Sequence, residues 1–126
     1  MKHQEIFEKV ARHLFAQGGR AMVSINGGEI CAYRGLNGTM CAAGCLIPDE
    51  LYSPDLEGLV VEAMSDGVYD RLFPNINRLF LSDLQRVHDS SINWKSDSTM
   101  REALISVAKF WQLDHDFLAE LSFSRN

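Results

Sequence analysis

The chain reads as one α+β domain, with four to five helices packed around a small β-hairpin or three-stranded meander. Three observations lead there. Apolar residues recur at helical spacing from Lys2 to Gln17 and again from Ile76 onward. Between those stretches the period drops to two over Glu29 to Arg34, with Ile30, Ala32 and Arg34 on one side and Cys31 and Tyr33 on the other. The dipeptide Asn-Gly, the strongest short hairpin signal, occurs at Asn26-Gly27 and again at Asn37-Gly38.

The first helix is predicted over Lys2 to Gln17. Ile6, Val10 and Leu14, flanked by Phe7 and Phe15, form its apolar stripe, and Gly18-Gly19 closes it. Met22 to Ile25 should pair with Glu29 to Arg34 across Asn26-Gly27, and Gly35 to Thr39 should turn the chain once more. Met40 to Ile47 then reads as a tight helix start with Cys41 and Cys45 on one face. A further helix is expected from Pro54 to about Met64, capped by Ser53 and stopped by Ser65-Asp66-Gly67. Val68 to Phe73 is apolar but too short to assign.

Pro74-Asn75 opens the clearest helix, with Ile76, Phe80, Leu84 and Val87 in line, Leu79 beside them and His88-Asp89 at its end. Ser91 to Ser98 reads as a polar loop. Thr99 to Glu102 matches a capping box, after which Met100, Leu104, Val107 and Trp111 continue as a core stripe. A last short turn capped by Asp114 can pack Phe117, Leu118 and Leu121, and Ser122 to Asn126 should fray. No repeat or linker interrupts the 126 residues.

Composition narrows the classes of function. The 12 Lys and Arg are scattered in a chain of net charge -5, which excludes a nucleic-acid footprint. No stretch approaches the roughly 20 apolar residues of a membrane helix. The first residues, MKHQEIFEKVARHLF, lack the apolar core of a secretory signal, so a cytoplasmic protein is expected. An odd count of three cysteines then points to free thiols.

Three groupings could carry chemistry. Cys31, Cys41, Cys45 and His88 are zinc-type ligands, yet no pair shows the close spacing of a zinc knuckle, and small buried hydrophobes are the plainer reading; no metal or other cofactor is assigned. Cys41 or Cys45 could be a nucleophile with His88 as base and Asp89 or Asp83 as orienting carboxylate, since a helix start lowers a thiol pKa and offers free N–H groups. The last is a polar pocket of Arg34, Asn37, Asp49, Glu50, Tyr52, His88 and Asp89. In it Arg34 either clamps an anionic ligand or makes an internal salt bridge to Asp49, Glu50 or Asp89. His3, His13 and His115 read as surface residues, and Trp94 is the one aromatic outside the helical stripes that could meet a partner.

The block CAYRGLNGTMCAAGCLIPDELYSPDLEG, with LQRVHD at Leu84 to Asp89, resembles a group of small uncharacterised proteins of bacteriophages, prophages and bacterial genomes. The likeness runs from about Gln4 to Leu113. This chain has Leu36 where that pattern favours proline, and Thr39-Met40 where it favours a basic residue before the cysteine. What the resemblance implies is an accessory protein of phage type acting inside the bacterial cell. The expected mode is binding of a host protein or a small ligand, with Arg34, Tyr52, His88 and Asp89 as the contact residues. A small cysteine-dependent hydrolase or transferase using Cys41 or Cys45 with His88 is the alternative, and a zinc-stabilised interaction module the third.

Overall fold

A computed structural model describes residues 2–123. Among them are four α-helices, a two-stranded antiparallel hairpin and a series of short 3-10 turns. Helix α1 (His3–Gln17) buries Ile6, Phe7, Val10, Ala11, Leu14 and Phe15, and Gly18 ends it at φ 77°, donating its N–H to Leu14 O at 3.0 Å. A residue with a Cβ would be strained there. Strands β1 (Met22–Ile25) and β2 (Gly28–Cys31) pair with Met22 opposite Cys31 and Ile25 opposite Gly28. Asn26 and Gly27, at φ 52° and 80°, make the tight turn, since asparagine tolerates the left-handed region and glycine has no Cβ to oppose it.

Asn37-Gly38 also turns at positive φ, but it closes only an isolated bridge between Arg34 and Met40, so the ribbon gains no third strand. The chain then runs through 3-10 turns at Gly44–Leu46, Asp49–Leu51, Pro54–Leu56 and Val61–Ala63. Two expected helices are thereby corrected. Met40 to Ile47 is a turn rather than a helix start, because Gly44 sits against the backbone of Tyr33 and pins the segment to the ribbon. Pro54 to Met64 is broken at Gly58, whose φ of 84° is incompatible with a helix. Ser53 does cap its Pro54 turn, accepting from Asp55 N.

Helix α2 (Asp66–Leu72) starts where a stop is expected, since the Ser65 hydroxyl accepts the N–H of Val68. Helix α3 (Arg78–Asp89) begins later than Pro74-Asn75 predicts. Asn75 takes a left-handed φ of 63°, and the side chain of Asn77 caps Leu79 and Phe80. Helix α4 (Asp97–Trp111) is capped by Ser96, with Thr99 as the third residue of its capping box rather than the first. The loop before it contains a 3-10 turn at Ser91–Trp94.

Two hydrophobic clusters result. In the first, α1, α3 and α4 meet through Phe7, Phe15, Phe80, Leu84, Met100 and Leu104, each fully or almost fully buried and each worth about 1.5–3 kcal/mol by transfer from water. In the second, Tyr33, Cys41, Ile47, Val61, Tyr69, Phe73 and Leu81 pack the 3-10 segment against the ribbon and the other side of α3. Leu46 and Ile76 touch both. Phe123 is not frayed: it stacks on Trp94 with ring centroids 5.6 Å apart, and its N–H reaches Asp97 Oδ1 at 2.9 Å. The remainder of the expected fraying, 124–126, lies outside the described residues. No described helix is long and apolar enough to cross a membrane.

Candidate functional site

Residues Ser82, Gln85, Arg86 and Asp89 stand at i, i+3, i+4 and i+7 of α3 and therefore share one helical face. That face forms the floor of a cavity of about 320 Å3, within the size range of small-molecule sites. One wall is β2 and its continuation through Ile30, Ala32 and Tyr33. The other is the strap Gly58 to Glu62, which contributes the apolar side chains of Leu59, Val60 and Val61. The strap is held at both ends. The Tyr33 hydroxyl donates to Leu59 O, and Ser82 Oγ donates to Glu62 Oε1 at 3.1 Å.

His88 lies beneath this floor and is fully buried. Its Nε2 accepts the backbone N–H of Ala21 at 2.9 Å, so its proton is on Nδ1, which donates to Asp89 Oδ1 at 2.8 Å. Asp89 Oδ1 also accepts from Gln85 Nε2 at 3.0 Å, and Gln85 Oε1 accepts the N–H of Ala43. Trp94 packs inward, its indole N–H donating to His88 O at 2.8 Å and its ring meeting the imidazole edge on.

The thiol beside this pair is Cys31, not the expected Cys41 or Cys45. Sulfur of Cys31, a ring nitrogen of His88 and a carboxylate oxygen of Asp89 lie within 4.8 Å of one another. Burial pushes the Cys31 thiol up to about 11, helped by the charge of Asp89 and a hydrogen bond to it, with Arg20 opposing. Cys41 is buried and pushed up to about 12, chiefly by desolvation, although Gly44 N donates to its sulfur at 3.2 Å. Cys45 packs toward α1, gives its thiol proton to Ala42 O, and is pushed to about 11 by burial. Among the described residues none of the three opens an α-helix: Cys31 ends β2 and Cys45 lies in the 3-10 turn that follows Cys41, so the helix start expected to stabilise a thiolate is not formed. These contacts do not favour the nucleophile and base pairing expected of Cys41 or Cys45 with His88. Burial raises all three thiols, and the lone pair that His88 would need as a base already accepts the N–H of Ala21.

The same bond opposes the zinc reading. Cys31, His88 and Asp89 offer sulfur, nitrogen and oxygen in one place, a set that zinc accepts. Ligation through Nδ1 would move the imidazole proton to Nε2, where it would point at the N–H of Ala21. Metal binding through Nδ1 would therefore cost the buried N–H of Ala21 its acceptor.

Arg34 and Tyr52, expected on the binding surface, belong to a separate cluster. The Arg34 guanidinium bonds Ile47 O at 3.0 Å and Asp49 Oδ1 at 2.9 Å and sits 4.7 Å over the Tyr52 ring. Its internal salt bridge is thus the one to Asp49. The residue that organises this cluster is Glu57, which the sequence reading passes over. Its carboxylate accepts from the N–H groups of Tyr33 and Arg34 at 2.9 and 3.1 Å and from the Tyr52 hydroxyl at 2.6 Å. Burial and the Glu57 hydrogen bond push Tyr52 up to about 12. Asp83 faces away from Asp89, accepting from Trp111 Nε1 and Arg86. Asn37 lines a separate open depression with His13 and Gln17.

Two supposed surface histidines are structural. His3 stacks on Phe80 at 4.5 Å, and His13 Nε2 bonds Met40 O at 2.7 Å. Of the predicted contact residues, Asp89 alone lines the cavity, and His88 positions it from below. Cys31, Glu62, Ser82 and Gln85 carry no local motif; only the helical spacing of Ser82, Gln85 and Asp89 could have pointed to a shared face.

Comparison with protein-family models, with curated proteins and with solved structures gives no match.

Proposed function

We propose that the protein is a non-catalytic binding module whose site is the cavity between β2, α3 and the 58–62 strap, and that its ligand is a small organic molecule. The supporting observation is the cavity itself: about 320 Å3, apolar on two walls and floored by a polar helical face. Catalysis is disfavoured by three thiols that burial raises and by a histidine with both nitrogens engaged. The likeness of the central block to small phage and prophage proteins supports an accessory role in the bacterial cytoplasm.

A small-molecule library is screened against the full chain by thermal shift and amide chemical-shift mapping. Ligands are expected to raise the melting temperature and to move the amides of Ile30, Ser82, Gln85 and Asp89 together. Ile30→Trp, which fills the cavity from its partly exposed wall, should abolish the effect while leaving the circular dichroism unchanged. Hits that map instead to the Arg34 cluster, or an absence of hits, would remove the reading.

A further inference from the structure

Resting on that reading, we infer that the cavity selects a short α,ω-diamine, held by the carboxylates of Glu62 and Asp89 at its two ends with its methylene chain along the apolar strap.

The two carboxylates are separated, not clustered. Glu62 is fixed to Ser82 by the 3.1 Å hydrogen bond, and Asp89 lies seven residues further along α3, about 10 Å at the helical rise of 1.5 Å per residue. Between them the strap presents Leu59, Val60 and Val61, against which methylenes would be buried, opposite the Gln85 side of the floor. An ammonium group at each end and three to five methylenes, roughly, fit that spacing and order of surfaces.

The sign of charge follows from which groups are committed. Arg86 lines the cavity, but its guanidinium is paired with Asp83 at 2.6 Å. Arg20, near Cys31, donates to Asp89 O at 3.2 Å. His88 is neutral, because Ala21 occupies its Nε2. Arg20 is not among the residues lining the cavity, so an anionic ligand would meet only Arg86, already paired with Asp83, whereas an ammonium meets carboxylates at both ends.

The test titrates 1,4-diaminobutane and 1,5-diaminopentane into the full chain by calorimetry and amide shifts, beside butylamine, butan-1-ol and succinate. The diamines are expected to bind about tenfold more tightly than butylamine, the worth of one charge-assisted hydrogen bond, and succinate not at all. Glu62→Gln and Asp89→Asn should each erase that advantage, and Asp55→Asn, away from the cavity, should not. If a variant unfolds, the wild-type ranking decides alone. Equal or stronger binding of butan-1-ol or succinate at the cavity overturns the diamine assignment and leaves the small-ligand reading standing. If neither these probes nor the screened library shifts the cavity amides, both fall.

Discussion

The backbone N–H of Ala21 donates to Nε2 of His88 at 2.9 Å, and this bond joins the start of the hairpin to the end of α3. It also decides the protonation pattern of its surroundings. An acceptor nitrogen carries no proton, so Nδ1 carries it and points at Asp89. The imidazole, fully buried, acts as a strut between two backbone segments.

Removing the strut should be expensive. His88→Ala leaves the buried Ala21 N–H without a partner and empties the space of a ring, together about 3–5 kcal/mol. Urea denaturation measures the loss, and the Ala21 amide, protected in the parent, is expected to exchange rapidly in the variant.

Thiol chemistry gives a second check. With thiols held near 11 to 12 by burial, against an ordinary value of 9.0, the thiolate fraction near neutral pH is lower by about a hundredfold or more. Iodoacetamide is expected to modify the native protein at under a hundredth of the rate seen in urea, with Cys41 slowest. Rapid native labelling of Cys41 or Cys45 would restore the enzyme reading.

Gly44 is where the turn after Cys41 presses on the ribbon. A Cβ there would stand 2.0 Å from Tyr33 O and 2.8 Å from Tyr33 C, both backbone atoms that cannot rotate away. Gly44→Ala should therefore lose more than about 3 kcal/mol in denaturant titration. Gly28→Ala, whose Cβ would meet nothing nearer than Ile25 O at 3.8 Å, should stay within about 1 kcal/mol of the parent.

His13 makes stability depend on acid. Burial lowers its pKa below 6.5, with the Met40 carbonyl partly opposing. Between the folded and unfolded values the unfolded chain binds more protons, so stability rises with pH across that window and falls as pH drops below about 6.5. Below the folded value the loss is complete. His13→Gln, which can still donate to Met40 O, should flatten the slope between about pH 7 and about pH 5 relative to the parent.

The helices were legible where one stripe served one core. Ile6, Val10 and Leu14 repeat at i and i+4, and Gly18 closes α1 as its left-handed φ requires. The 54–64 segment was not legible, because Leu56, Leu59, Val61 and Met64 reach the second cluster from successive turns on either side of Gly58, and their mixed spacing imitates a helix. Ser65 looked like a stop because hydroxyls and glycine also end helices; its role as a cap depends on the Val68 N–H it receives. In the site, His88 and Asp89 could be singled out as an adjacent pair. Their neighbour Cys31 arrives from the hairpin, and Glu57 meets Tyr33 and Arg34 across 24 and 23 positions of sequence. Such pairings are set by the path of the chain and leave no local pattern.

The division into two clusters gives the molecule built-in optical reporters. Both tryptophans, Trp94 and Trp111, pack against the three-helix cluster, whereas Tyr33, Tyr52 and Tyr69 all belong to the other. Indole emission thus reports one half and phenol absorbance the other. Since Leu46 and Ile76 are shared by both halves, the two signals are expected to melt at a common midpoint, marking one cooperative unit.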